Sequence, residues 1–318
     1  MTKSVMDMAS NSSLPTCRIL LTGKNGQLGF ELQRSLSVLG TVIAVDRDDC
    51  DLSDPEAIRA LVAKVQPHVI VNPAAHTAVD KAESEPELAH AINSIAPQIF
   101  AEEAAKIGAL LVHYSTDYVF DGTKDGWYSE TDTPNPQSVY GKTKLAGELA
   151  IATANPRHLI FRTSWVFGAH GANFMKTILR LAGDREELKI IADQHGAPTA
   201  ASLLADVTAH AIRQILVAEP SPTLDSPLPN LYGTYHLVAG GSTTWHGYAQ
   251  TVVELAKSAG IAIKAAQILP IPASAYPLPA ARPANSQLNT QKLQAAFGLC
   301  LPDWQTGVAQ VMTILSEK

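Results

Sequence analysis

The chain is poor in cysteine, in net charge and in long apolar runs, and each shortage narrows what it can be. Its 318 residues include three cysteines. Cys17, Cys50 and Cys300 are far apart and odd in number, and they form neither a CxxC pair nor a metal-ligand spacing. That excludes a disulfide scaffold and points to a reduced, cytoplasmic compartment. No apolar run reaches the roughly 20 residues of a membrane span, so no membrane is expected as a partner. The formal charge of −6 argues against nucleic acid and anionic membrane surfaces. The first sixteen residues are polar, without the apolar core of a signal peptide, and are expected to be a disordered extension. The length suffices for one large or two modest domains, and no internal repeat is found.

Against this background one stretch stands out. Arg18 to Leu21 is a short apolar run, and Gly23, Gly26 and Gly29 follow at Gly-x-x-Gly-x-x-Gly spacing before an amphipathic segment with Leu32, Leu36 and Leu39. This predicts a strand, a tight turn and a helix N-terminus. Glycine lets backbone approach a pyrophosphate, and the helix amides and dipole stabilise its charge. Thr41 to Val45 reads as a second strand ending at Asp46, placed to accept hydrogen bonds from ribose hydroxyls. Ser53-Asp54-Pro55-Glu56 is a helix start. Val69 to Asn72 is a third strand of the fully buried kind, leading into the small residues of Pro73-Ala74-Ala75-His76-Thr77. A helical region follows from about 86 to 107. Within it Asn93 fits either a bond to loop backbone or a surface position.

Ala109 to Tyr114 is a fourth strand that runs into Ser115-Thr116-Asp117. In open α/β sheets ligands lie beyond the carboxyl ends of strands, which gives these polar side chains a place in a site. Tyr140 and Lys144 follow, four apart and so on one face of a helix. An ammonium about 4 Å from a phenol, at an effective dielectric near 20, favours the phenolate by about 4 kcal/mol before desolvation. The expectation is a tyrosine acid shifted toward physiological pH. His158 to Thr163 is another strand, ending near Trp165. Later segments read as a helix from Asn173, a short strand at Lys189 to Ala192, a helix over 203–217 and an exposed Pro- and Ser-rich loop over 219–230. A late strand at Tyr235 to Val238, a helix over 244–259 and final helices near 289–297 and 302–315 follow. Ile268 to Pro283 carries too many prolines for regular structure. Strands alternating with helices give an α/β class, a Rossmann-type, doubly wound, mainly parallel sheet with a smaller C-terminal domain.

Taken together, these residues resemble the extended short-chain dehydrogenase/reductase family. Ala75 to Glu83, His113 to Phe120, Val139 to Glu148, Arg162 to Val166, Asp193 to Thr199, Tyr235 to Gly241, Ser274 to Pro277 and Arg282-Pro283 are similar to its dTDP-4-dehydrorhamnose reductase branch. The resemblance runs from about Arg18 to the last helix. It implies reduction of the C4 ketone of dTDP-4-dehydrorhamnose by NADPH or NADH, giving dTDP-rhamnose for bacterial surface polysaccharide. It also implies roles for individual residues. Tyr140 protonates the incipient alkoxide, Lys144 holds the nicotinamide ribose and depresses the Tyr140 pKa, and Thr116 bonds the ketone oxygen. Gly26, Gln27 and Leu28, between Gly23 and Gly29, line the pyrophosphate; Asp46 meets the ribose, and Asp51 with Leu52 the adenine edge. Ala75, His76, Thr77 and Tyr114 flank the middle of the cofactor, while Asp117 and Trp165 contact the sugar nucleotide. Asp46 opposes a 2′-phosphate and Arg47 favours one, so the two cofactors are expected to differ by no more than about tenfold.

The implied division is a dinucleotide-binding domain, 17–165 with about 194–240, and a sugar-nucleotide-binding domain, about 166–193 with 241–318. Two other readings are a nucleotide-sugar epimerase or dehydratase, and a non-catalytic regulatory subunit of the methionine adenosyltransferase type. Tyr118 stands where dehydratases usually carry Glu, and the intact Thr116, Tyr140 and Lys144 favour catalysis. Some members of the family are dimers bridged by Mg²⁺ on glutamates. Of those positions Glu31 is kept, while Ser202 and Gln305 align with the other two. Without two carboxylates no metal is expected, and the protein is a monomer or a homodimer through other contacts.

Overall fold

The computed structural model describes residues 17–218 and 231–317. The expected N-terminal extension and the loop expected over 219–230 lie outside the described residues. The principal strands are β1 (Arg18–Leu21), β2 (Thr41–Ala44), β3 (Val69–Asn72), β4 (Leu110–Thr116), β5 (His158–Thr163), β6 (Glu187–Ile191), β7 (Gly233–His236) and β8 (Gln267–Ile271). Six of them form one sheet in the order β7-β5-β4-β3-β1-β2, and every neighbouring pair is parallel. The winding direction reverses between β1 and β3. That reversal opens a crevice beyond their carboxyl ends, where a doubly wound sheet takes its ligand.

The apolar strands have two buried faces because side chains alternate. Ile19 and Leu21, Val69 and Val71, and Leu110 and Val112 pack on one side against Leu32 and Leu36 of α1 (Gln27–Leu36). Leu20, Ile70, Leu111 and Ile160 face the other side, with Ile58 and Val62 of α2 (Pro55–Val65) and Phe100 of α3 (Ala96–Ile107). Asp54 caps α2 as its sequence announces, its carboxylate accepting from the Glu56 amide at 2.9 Å. The long helical stretch before β4 is interrupted. A π turn at Ala91–Ile95 precedes α3 and buries Asn93 completely. Asn93 therefore takes the loop-backbone role: its Oδ1 accepts from the His76 amide at 2.8 Å, and its Nδ2 donates to the His76 carbonyl and to Thr143.

Two further helices and an ion pair complete the frame of the crevice. Helix α4 (Val139–Ala154) starts at Ser138, whose Oγ accepts from the Gly141 amide at 3.1 Å. It is tied to β5 by Glu148 and Arg162, both buried, with Nη2 and Oε2 2.6 Å apart. Beyond the sheet, α5 (Phe174–Asp184), α7 (Trp245–Ser258) and α8 (Trp304–Ser316) surround Ile178, Tyr248, Val252 and Val308 in a second apolar cluster. Helix α6 (Ala201–Ala218) lies against α1, its Leu204, Val207, Ala211 and Ile212 completing the first cluster.

The proline-rich segment departs from expectation. Gln267–Ile271 is regular, pairing in parallel with β6 along its full length. The two strands make a two-stranded sheet of their own, so Pro270 sits on an edge strand where an amide is not required.

Candidate functional site

Among the described residues, three cavities lie along the crevice. The first, about 410 Å³, is bounded by Asp46, Arg47, Asp51, Leu52, Ala75, His76 and Thr77. The second, about 620 Å³, is bounded by Gly23, Gly26, Gln27, Leu28 and Gly29, and farther along by Tyr114, Thr116, Asp117, Tyr140, Lys144 and Trp165. The third, about 410 Å³, includes Arg185, Lys189 and Arg282 together with Trp165 and Trp245. The site residues expected from the sequence are thus gathered around two adjoining spaces, and a third basic and aromatic space adjoins them.

The glycine turn has the backbone its spacing requires. Gly23 has φ of +60°, and a Cβ on Gly29 would sit 1.9 Å from the Gly23 carbonyl oxygen. Gly26 caps α1 without a side-chain bond, so the first helical amides are left for a ligand. The segment after β5 crosses over this turn. Asn173 donates to Gln27 Oε1 at 2.9 Å, and His170 bonds the Asn25 carbonyl while stacking on Phe30. Asp46 accepts from the Asn25 and Arg47 amides, which fixes its carboxylate beside the turn. Asp51 caps its own turn through Ser53, and Arg47 reaches it at 4.0 Å. His76 is held by Glu85 at 3.4 Å.

The reactive end is a hydrogen-bonded chain. The Ser286 hydroxyl donates to Asp117 Oδ2 in a short contact, and the Thr116 hydroxyl donates to Asp117 Oδ1 at 3.0 Å. Tyr140 borders the same cavity as Thr116. Burial pushes the Tyr140 phenol up to about 12; the neighbouring Thr116 hydroxyl opposes this and the Asp117 charge adds to it. Burial likewise pushes Asp117 up to about 6 against the bonds from Ser286 and Thr116.

The expected lowering of the Tyr140 pKa by Lys144 is not found. Lys144 Nζ donates to the Tyr114 carbonyl at 2.6 Å and lies 3.0 Å from His113 Nε2, so its two protein contacts are with β4 and not with the Tyr140 phenol. Burial brings the ammonium itself down to about 8, with the Glu148 charge opposing. Tyr114 borders the central cavity, its hydroxyl bonds Thr208 at 2.6 Å and its ring packs in the core.

Trp165 is held in a left-handed conformation, φ +48°, that a bulky residue rarely adopts. Its ring stacks on Trp245 with centroids 3.7 Å apart, and Gly196 is small enough to let it lie there. Sequence reading missed Trp245, Asn173, Ser286 and His113. The first three come from segments distant in the chain, with no motif linking them to the site. His113 carries one signal, a histidine inside an otherwise apolar strand.

The crevice fits a dinucleotide on its own terms. Ser115 Oγ and Thr163 Oγ1 are buried, border the central cavity and have no hydrogen-bond partner among the described residues. Next to the uncapped α1 amides, they offer polar groups for a ligand to satisfy.

A parallel sheet with a glycine turn at its switch point, and Thr, Tyr and Lys side chains converging at the far end of the crevice, defines a nucleotide-dependent short-chain dehydrogenase/reductase scaffold. The chain belongs to the RmlD substrate binding domain family, whose model matches residues 17–317. It is 54% identical over 299 residues to a dTDP-4-dehydrorhamnose reductase of Salmonella typhimurium, covering 93% of this chain and 97% of that protein. Among solved structures, the dTDP-4-dehydrorhamnose reductase of Clostridium acetobutylicum superposes with a TM-score of 0.85 at 36% identity, covering 94% of this chain and 99% of that one. That of Bacillus anthracis, in complex with NADP, gives 0.83 at 33%, with the same coverage.

The buried Asp117 makes stability depend on pH. Its folded pKa lies above its unfolded value near 3.8, so the folded state holds the proton more tightly. The carboxyl therefore costs nothing below pH 3.8 and its full penalty above about 6. A shift of that size corresponds to about 3 kcal/mol. Asp117→Asn should gain about that much stability at pH 7.5, and about half of it at pH 5, in urea denaturation. A gain that does not shrink at the lower pH would show that Asp117 is ionised without cost.

Proposed function

We propose that this protein reduces the C4 ketone of dTDP-4-dehydro-β-L-rhamnose with NADPH or NADH, giving dTDP-β-L-rhamnose for bacterial surface polysaccharide. The observation that carries this reading is the convergence of Thr116, Tyr140 and Lys144 where the dinucleotide crevice meets the third cavity. The reduced nicotinamide supplies the hydride. The glycine turn and the α1 amides hold its pyrophosphate, Asp46 and Arg47 border its adenosine ribose, and Lys144 holds the nicotinamide ribose. Tyr140 is protonated at neutral pH, the form a reduction needs, and delivers its proton to the ketone oxygen. Thr116 bonds the same oxygen once its hydrogen leaves Asp117.

Arg185, Lys189 and Arg282 give the third cavity the cations that a nucleoside diphosphate requires, and Trp165 with Trp245 forms an apolar wall for the sugar. Arg282 is already oriented by Asp80 at 2.8 Å. The reading also carries a division of labour: a dinucleotide-binding domain of 17–165 with about 194–240, a sugar-nucleotide-binding domain of about 166–193 with 241–318, and a cytoplasmic location. A dehydratase needs an acid after Asp117. Here Tyr118 occupies that place, its ring edge-on to Tyr140 with centroids 5.4 Å apart.

Tyr140→Phe removes the proton donor and little volume. kcat should fall about 10²- to 10⁴-fold with cofactor affinity nearly kept, while Lys144→Ala should lose both. NADPH oxidation with the ketosugar nucleotide measures this, and wild-type turnover in the phenylalanine variant would remove Tyr140 from the chemistry.

Assembly is expected to be independent of divalent metal. Glu31 lies 3.7 Å from Arg34, Ser202 borders a small cavity between α6 and α8, and Gln305 is exposed in the first turn of α8. Sedimentation in Mg²⁺ and in excess EDTA should give the same species, monomer or dimer. A dimer that dissociates only in EDTA would mean that a metal bridge exists despite Ser202 and Gln305.

A further inference from the structure

Beneath Lys144 runs a file of polar side chains that the reaction as described does not use. Thr22, at the end of β1, donates from Oγ1 to Asn72 Oδ1 at 2.6 Å. Asn72, at the end of β3, lies with Nδ2 3.2 Å from His113 Nδ1. His113, in the middle of β4, lies with Nε2 3.0 Å from Lys144 Nζ. All four are at most 1% exposed, so water does not complete their hydrogen bonding. The file crosses the sheet directly under the crevice, from the glycine turn to the reactive end.

Donor counting allows two arrangements. In the first, the Asn72 amide nitrogen donates to Nδ1, so the imidazole hydrogen is on Nε2 and points at Lys144. Lys144 must then accept it with a lone pair, as a neutral amine. In the second, Lys144 is an ammonium that donates to Nε2. The ring hydrogen is then on Nδ1, and Asn72 must turn its amide over so that Oδ1 accepts it and Nδ2 faces Thr22 Oγ1. The Lys144 charge, the His113 tautomer and the Asn72 orientation are thus one variable. Burial keeps His113 from becoming an imidazolium, with the neighbouring Lys144 adding to the effect. The ring therefore answers Lys144 by changing tautomer and not by taking a charge.

We propose that His113 is a positioning residue for the reduction: with Asn72 it sets whether Lys144 is an ammonium or an amine, and hence how many protons Lys144 presents to the crevice. As an ammonium, Lys144 keeps a third N–H for the nicotinamide ribose after serving Tyr114 and His113. The other titratable and charged groups around it are Tyr140 and Glu148 on α4, Tyr114 on β4, and Arg162 on β5, which Glu148 pairs. Burial places the Lys144 pKa at about 8, so both arrangements are reachable near neutral pH. The functional half of this inference rests on the reductase reading, but the tautomer coupling does not.

Two measurements test it separately. In protein labelled with ¹⁵N-histidine, the His113 ring nitrogens are followed from about pH 6 to about pH 10, with His113→Gln identifying the signals. The ring should remain neutral throughout, and the hydrogen should move from Nδ1 to Nε2 in one titration. A tautomer unchanged over that range, or an imidazolium, overturns the coupling whatever the enzyme's substrate. In the second measurement, His113→Leu removes the acceptor at similar volume, whereas His113→Gln places an amide oxygen near the Nε2 position. The alkaline limb of kcat/KM should move down by about one pH unit in the leucine variant and return toward wild type in the glutamine variant, with KM for NADPH following the same order. Limbs identical in all three proteins overturn the positioning role. If the leucine variant does not fold, the glutamine variant is compared with His113→Asn, which keeps the contact to Asn72 and loses the one to Lys144.

Discussion

An ammonium cannot be taken out of water unless its protons are matched, and Lys144 is 1% exposed. Much of the architecture around the crevice follows from meeting that demand. Strand β4 supplies the Tyr114 carbonyl and His113, while α4 carries Lys144 and, one turn on, Glu148. Glu148 is neutralised in turn by Arg162 of β5. To hold the lysine, α4 must lie close on β4 and β5, and Ser138 starts the helix at the position that brings Tyr140 into the crevice wall. Asn93, buried by the π turn, clamps the loop after β3 to Thr143 of the same helix. Helix α4 is therefore anchored to β4, to β5 and to the π turn by buried polar groups, which fixes its side chains more tightly than apolar packing alone.

The fold was legible in the sequence because its central strands are buried on both faces and read as unbroken apolar runs. The glycine turn and the Asp54 cap carry their own local physics, and both are found as the spacing implies. The last third was less readable. A strand containing Pro270 goes against propensity and exists because its partner, β6, lies about eighty residues earlier. The π turn has no signature in the pattern, so Asn93 could be placed only once the helix was seen to widen there.

Site residues divide along the same line. Those carried by contiguous motifs, from the glycine turn to Tyr140 and Lys144, are brought together around adjoining cavities. Those supplied by tertiary packing were invisible: Ser286 reaches Asp117, and Trp245 backs Trp165, from segments with no sequence relation to either. The electrostatics were the least accessible. Helical spacing places Lys144 near Tyr140 but does not reveal that β4 offers the lysine better partners. A phenol expected to move down is therefore pushed up by burial in the free protein.

The central claim is that the Thr116, Tyr140 and Lys144 end of the crevice is where a reduced nicotinamide and a sugar ketone meet. The most direct measurement supplies NADPH deuterated at the transferring position together with dTDP-4-dehydrorhamnose, and locates the label in the product by mass spectrometry and NMR. Deuterium at C4 of dTDP-rhamnose, with oxidised cofactor formed in equal amount, is the expected result. Label absent from C4, or cofactor returned reduced while the sugar rearranges, would contradict it and place an epimerase or dehydratase on this scaffold.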